Sequence, residues 1–448
     1  MVCQDTALPD QARERLLSRV DSMRQAEATP RSPSGDAMTF ASVPAYHEVR
    51  MNLRVAERFQ IDVPYFRVHD GLNSAHTRIG DRDFLNFCSY DYLGLNGHPE
   101  VIEAAKTALD RYGVSASASR VVAGGRPVHI ALEAALAEHY GCDDALTFVS
   151  GYATNLSLIG HLMGPKDIVI YDAAMHHSAV MGGLLAGAAR RSFLHNDLDN
   201  LESILASTRN HHERALIVVE GLYGMDGDYP DLPKLIEIKQ RYRAWLMVDE
   251  AHAIGVLGRR GYGSFEHFGA DPRSVDIWMG TLSKTLSSCG GYVAGSAEMV
   301  DCVKRIVGAF VYSVAMPPVI AAASLKALEI MHRQPERVAR LRRNGERFRD
   351  LARERGLNTG TGGGAAICPI IVGDSLPASI LSQRLFERGI NVMPVLYPAV
   401  PPKESRLRFF LTAAHTEADL AAGVTATADE LGQIEQTMRE HGFPGHGG

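Results

Sequence analysis

The sequence predicts an α/β protein built on a mainly parallel sheet. Two observations predict it. Short apolar segments, almost free of polar residues, recur between residues 145 and 294. Helical stretches such as Pro127–Tyr140 and Leu232–Tyr242 alternate with them. Continuous rather than alternating apolar strands are those buried on both faces, as in a parallel sheet between two helix layers. In such sheets a ligand site lies at the carboxyl ends of the strands.

The elements follow in chain order. Residues 1 to about 45 are polar, with Pro30-Arg31-Ser32-Pro33-Ser34-Gly35 as a flexible link. Leu8 to Ala26 suits a short amphipathic helix, either a tail or a docking element. Residues 46–85 are expected to join a smaller domain, and 86–333 to form the large one. Strands are predicted at Ala145–Val149, Ile168–Tyr171, Ala215–Val219, Trp245–Val248, Ile277–Met279 and Tyr292–Ala294. After Gln334 a second unit is expected to run to residue 448 as a small α+β domain. It opens with a charged helix, Pro335–Arg355, and a glycine-rich turn from Gly360 to Gly364. No internal repeat is visible.

Composition narrows the function. The 448 residues are 46% hydrophobic and 22% charged, ordinary for a soluble globular protein. A formal net charge of −6 gives no reason to expect nucleic-acid binding. No apolar run approaches the roughly 18 residues that span a bilayer. Met1-Val2-Cys3-Gln4-Asp5 lacks the basic and apolar regions of a secretion signal. The six cysteines are scattered without a C-x-x-C pair, so reduced thiols in a cytoplasmic protein are expected, with no metal site.

Two stretches carry chemistry. Trp245-Leu246-Met247-Val248 ends in Asp249, with His252 three residues on. Gly280-Thr281-Leu282-Ser283-Lys284 places a lysine among small hydroxyl residues, followed by Gly290-Gly291. A lone loop lysine is ordinarily a solvated charge, an acid at a strand end is commonly an N-cap or a salt-bridge partner, and a lone histidine is more often structural. Together they equip a chain to hold pyridoxal 5′-phosphate: the acid faces the pyridine nitrogen, the lysine takes the aldehyde and the hydroxyls meet the phosphate. Ser150-Gly151-Tyr152-Ala153-Thr154-Asn155 follows a strand and opens a helix, a geometry that suits phosphate. Asp172 to Ser178 follows the next strand, and a histidine there can stack on a flat ring. The adjacent pair His176-His177 is not read as a metal site, because no carboxylate or cysteine set completes it.

These motifs resemble the α-oxoamine synthases, fold-type-I pyridoxal-phosphate acyltransferases that include 8-amino-7-oxononanoate synthase and serine palmitoyltransferase. The resemblance runs from about Pro64 to about Leu431. It rests on Asn86 to Leu95, Ser119-Arg120, Ser150-Gly151-Tyr152, Asp172 to Ser178, Glu220 to Asp228, Asp249 to His252, Thr281 to Lys284 and Arg406-Leu407-Arg408. It implies Lys284 as the lysine that holds the cofactor, Asp249 on the pyridine nitrogen, His252 on the ring oxygen and His176 stacked on the ring. It further implies Gly151, Tyr152 and Thr281 at the phosphate, joined by Ser313 from a second subunit of a homodimer. Arg408 meets the amino acid's carboxylate, with Asn86, Tyr92 and Ser178 near the substrate.

The implied reaction is a decarboxylative Claisen condensation of a small amino acid (serine, alanine or glycine) with an acyl thioester carried by coenzyme A or an acyl carrier protein. Transamination or lyase chemistry, or a non-catalytic partner subunit, are the alternatives. The chain departs from the family pattern at Gly224 and Val314, where serine and threonine are usual, at Ala399, and in the loop Val114 to Arg120. These departures turn the resemblance away from the biotin-pathway and aminolevulinate branches, while Ser89 to Gly94 and Thr281 to Lys284 look more like serine palmitoyltransferase and polyketide-associated members.

Overall fold

A computed structural model of the protein describes residues 39–58 and 61–440. The chain forms two compact units, Met1–Val63 and Pro64–Gly448. In the first, a 3₁₀ turn Phe40–Ser42 precedes a helix Pro44–Arg58. Proline suits that first helical position, where its missing N–H would be unpaired anyway. The helix runs through the boundary expected near residue 45. The helix expected at Leu8–Ala26 lies outside the described residues.

Among its described residues the second unit holds fourteen strands. In chain order they are β1 His69–Asp70, β2 His76–Ile79, β3 Arg82–Asn86, β4 Asp144–Phe148, β5 Ile168–Asp172, β6 Ala189–Phe193 and β7 Ala215–Glu220. There follow β8 Trp245–Asp249, β9 Ile277–Thr281, β10 Gly291–Gly295, β11 Ile367–Gly373, β12 Ile390–Asn391, β13 Met393–Val395 and β14 Ser405–Phe410. Seven form one sheet in the order β4-β10-β9-β8-β7-β5-β6. Only β10 runs antiparallel to its neighbours. All six predicted strands are present, five extended by a residue or two and the first shifted by one residue to Asp144–Phe148.

The physical basis of the central strands is burial on both faces. Every residue of β7, β9 and β10 is buried. The antiparallel insertion of β10 sets Tyr292 opposite Gly280 of β9. A Cβ at Gly280 would lie 2.3 Å from the Tyr292 ring, so only glycine admits that side chain. The Tyr292 hydroxyl meets that of Tyr140, 2.7 Å away. β6 was not expected: Arg190 and Arg191 sit in its middle, exposed, because it is an edge strand where charge is tolerated and discourages further pairing.

A four-stranded sheet, β1-β2-β3-β12, joins residues 69–86 to Ile390-Asn391 from far along the chain. A three-stranded sheet, β11-β14-β13, places Arg408 on its central strand, opposite Pro369 and Met393. Phe87 packs against Phe348, Phe409 and the His415 ring, with centroids 4.7 to 5.7 Å apart. Helix Pro318–Arg333 breaks at Gln334 before helix Pro335–Glu354, at the point where the sequence suggested a new unit.

Candidate active site

Asp249, Glu220 and Thr281 end β8, β7 and β9, and β4 and β5 lead into Ser150-Gly151 and Asp172 to His176. The carboxyl ends of parallel strands therefore converge on one cleft of about 240 Å³. Lys284, Asp249, His252, His176, Glu220, Asn155, Gly151, Tyr152, Ser178, Thr281 and Ser283 all line it. A cavity of about 500 Å³ opens elsewhere, beside Trp245 and Gly295, but no lysine or histidine lines it.

Lys284 follows β9 on a turn held by Thr281. The Thr281 hydroxyl donates to the Gly290 carbonyl at 2.8 Å and accepts from Ser283 N at 3.2 Å. The lysine Nζ lies 5.7 Å from the centroid of the Tyr90 ring. Burial pushes its pKa down to about 8, although Asp249 and Glu220 pull it upward. Asp249 is buried and accepts from Ala251 N at 2.9 Å and from the Asn155 amide at 2.8 Å. Glu220 stands directly opposite Asp249 in the sheet register. Burial, then the charge of Asp249, raises Glu220 to about 8. Its oxygens accept from His176 N at 2.9 Å and Gly224 N at 3.0 Å.

His252 Nδ1 meets the Tyr92 hydroxyl at 2.7 Å, and burial lowers its pKa well below the usual value. Tyr92 is fully buried behind it, so Tyr92 supports His252 rather than facing a substrate. A Cβ on Gly224 would fall 2.5 Å from His252 Nε2. The departure from serine at this position thus leaves room for His252, while the Gly224 carbonyl accepts from Arg408 Nη1 at 2.9 Å.

Two substrate assignments need correction. Asn86 is fully buried and its amide is committed: it donates to Asn73 Oδ1 and the Ser74 carbonyl and accepts from Cys88 N and Asn391. It ties β3 to β12 and does not reach the cleft as a free group. Ser178 lines the cleft wall, yet its hydroxyl is turned to Asn155 and His176. His176 and His177 diverge, the first to Ser178 and the second to the Tyr152 hydroxyl at 3.1 Å. Ser313 is half-buried, among the described residues bonds only its neighbour's carbonyl, at 3.2 Å, and is absent from the cleft lining.

The two arginines of β14 differ. Arg406 is paired with Asp226 and, at 3.1 Å, with Glu404. Arg408 stacks 4.6 Å from the Phe410 ring and has no carboxylate partner among the described residues. Its Nε is buried without a hydrogen-bond partner. Residues that the sequence reading left without a role here are Glu220 and Asn155. Glu220 carries the signal that found Asp249, an acid ending a fully buried strand.

These residues fit pyridoxal 5′-phosphate. Asn155 Oδ1 and Arg408 Nε are buried polar atoms without partners. A Cβ on Gly151 would meet Thr281 Oγ1 at 2.9 Å, so glycine keeps that hydroxyl-lined floor open at the start of helix Gly151–Leu162.

Comparison with known proteins agrees. The family model described as aminotransferase class I and II matches residues 82–426. The chain is 40% identical over 365 residues to an 8-amino-7-oxononanoate synthase of Cellvibrio japonicus, covering 82% of this chain and 90% of that one. Among solved structures, the serine palmitoyltransferase of Sphingomonas wittichii superposes with a TM-score of 0.84 at 29% identity, covering 88% of this chain and 99% of that one. A serine palmitoyltransferase structure that contains pyridoxal phosphate gives the same TM-score and the same coverage at 26% identity. The lean toward serine palmitoyltransferase matches the structural neighbours. The curated sequence relatives carry the name of the other branch, 8-amino-7-oxononanoate synthase.

Proposed function

The chain belongs to the class I and II aminotransferase family and within it to the α-oxoamine synthases, and from that premise we propose that it condenses a small amino acid with an acyl thioester, releasing CO₂. The observation that carries this is the convergence of Asp249, Lys284 and His252 on one cleft, with Arg408, which has no carboxylate partner among the described residues, close enough for its charge to act on Lys284. Pyridoxal phosphate, when bound, supplies an aldehyde that takes amines covalently and a ring that accepts an electron pair.

The chain's own residues supply the rest. Asp249 presents an acceptor for the pyridinium N–H. Lys284, with its lowered pKa, is neutral for a large fraction of the time near pH 8, so its amine can bind the aldehyde and later take the Cα proton of the amino acid. His252 and Tyr92 hold the ring oxygen side. Thr281, Ser283 and the N–H groups from Gly151 hold the phosphate. Arg408 grips the amino acid's carboxylate through charge-assisted bonds.

Product mass tests the reading. Purified enzyme supplied with serine, alanine or glycine and with acyl-coenzyme A or acyl carrier protein is expected to yield an α-aminoketone whose mass is that of the amino acid less CO₂, with the acyl group in place of one hydrogen. An exchanged amino group, or cleavage without a new C–C bond, would point instead to a transaminase or lyase.

Arg408→Ala is expected to raise the amino acid's KM by about 10²-fold, the loss of two charge-assisted bonds at about 1.5 kcal/mol each. Arg406→Ala should leave KM unchanged and lower thermal stability, since Arg406 is spent on Asp226 and Glu404. The opposite pattern would mean that Arg406 is the substrate arginine.

The active form is a homodimer with shared sites. Tyr312 is 88% exposed and Val314 50% exposed, flanking Ser313, an apolar surface that a second copy would cover. Sedimentation velocity at assay concentration should give twice the chain mass, and an active monomer would refute the shared site. No described helix is long and apolar enough to cross a membrane. The enzyme is assigned to the cytoplasm, in keeping with its unpaired cysteines.

A further inference from the structure

The hydrogen bonds behind His176 have a direction that chemistry fixes. The Asp249 carboxylate only accepts, so the Asn155 group 2.8 Å from it must be the NH₂. The same nitrogen is 3.0 Å from Ser178 Oγ, which therefore accepts its second proton. The Ser178 hydroxyl has one hydrogen to give, and His176 Nδ1, 2.7 Å distant, is the one acceptor it meets among the described residues, so the hydrogen points there. Ser178 N also donates to Nδ1, at 3.3 Å, because His176 is the N-cap of helix His177–Leu185. Two donors point at Nδ1, so it carries no proton. Asn155 and Ser178 are both buried, which keeps water from reversing the chain.

We infer that Asn155 and Ser178 are positioning residues that lock His176 as a neutral imidazole with its single proton on Nε2, a donor for an oxygen atom of the bound substrates. This deepens the proposed function and rests on the role that the family resemblance implies for His176, over the cofactor ring. His176 lines the cleft, and its Nε2 makes no hydrogen bond among the described residues.

The surroundings of His176 favour the neutral form. Burial lowers its pKa, and the positive charges of Lys284, His177 and Arg408 act in the same sense, while Asp249 opposes them. The amino end of helix His177–Leu185 adds a further positive potential against protonation.

The test reads the ring nitrogens directly. Full-length protein labelled with [¹⁵N]histidine, with and without pyridoxal phosphate, is examined by long-range ¹H–¹⁵N correlation, and the His176 signals are identified by their loss in His176→Asn. In the wild type, Nδ1 is expected at the shift of an unprotonated nitrogen and Nε2 at that of a protonated one, unchanged from pH 8 to pH 6. In Ser178→Ala, a protonated Nδ1 signal should grow as pH falls toward 6, and Asn155→Ala should show a smaller change because the serine hydroxyl is only released. A protonated Nδ1 in the wild type overturns the inference even if neither variant folds, as does a Ser178→Ala spectrum identical to the wild type. The spectra require no turnover, so this lock can fail while the product-mass result stands, and the reverse.

Discussion

Replacing Lys284 by alanine is expected to leave a folded protein whose turnover falls by about 10⁴-fold or more. General acid–base catalysis alone is worth about 10²–10⁴-fold, and this change also removes the covalent anchor. Folding should survive, because among the described residues the lysine Nζ makes no hydrogen bond, and it lies 5.7 Å from the centroid of the Tyr90 ring. Borohydride reduction of the wild-type protein loaded with pyridoxal phosphate should fix the label on the peptide containing Lys284. A label on any other lysine would refute the assignment. The pH dependence has a definite sign. Only the neutral amine attacks, and burial lowers the Lys284 pKa from 10.5 to about 8. Covalent capture by cofactor-free protein should therefore rise with pH up to about 8 and level off above it. An ordinary lysine would keep gaining to beyond pH 10.

The sequence made the central strands legible because burial on both faces leaves an uninterrupted apolar run, as in Ala215–Val219 and Trp245–Val248. It hid β6, whose Arg190 and Arg191 are allowed by its edge position, and β12, which is too short to carry a pattern. Lys284, Asp249 and His252 were legible because each follows a buried strand, which fixes their place at one end of the sheet. Asn86 was misread because an amide at a strand end serves a loop staple as well as a ligand, and only the contact with Asn391, far along the chain, decides between them. The link from Asp249 through Asn155 and Ser178 to His176 spans three separate elements, so no local spacing announces it. Gly224 stands where the family usually has serine, and the space it leaves is taken by the His252 ring.

Asp249→Asn is expected to retain pyridoxal phosphate and to lose about 10²-fold in kcat, close to 2.7 kcal/mol at about 1.36 kcal/mol per tenfold. The cofactor should stay because the phosphate floor of Gly151, Thr281 and Ser283 and the amine of Lys284 are untouched. The loss comes from charge. A carboxylate favours a protonated ring nitrogen, and a neutral amide does not, so the ring becomes a poorer acceptor of the electron pair that Lys284 must uncover at Cα. The substitution also disturbs a satisfied group. Both carboxylate oxygens accept, one from Ala251 N and one from Asn155, and an asparagine must turn its own NH₂ toward one of those donors. If the lost partner is Asn155, the ordering of Ser178 and His176 weakens as well, and the histidine spectrum should change with it. Absorbance and dialysis measure retention of the cofactor, and kcat measures the chemistry. Near-full activity with bound cofactor would show that Asp249 does not face the pyridine nitrogen. Loss of the cofactor itself would show that the carboxylate anchors the ring rather than tuning it.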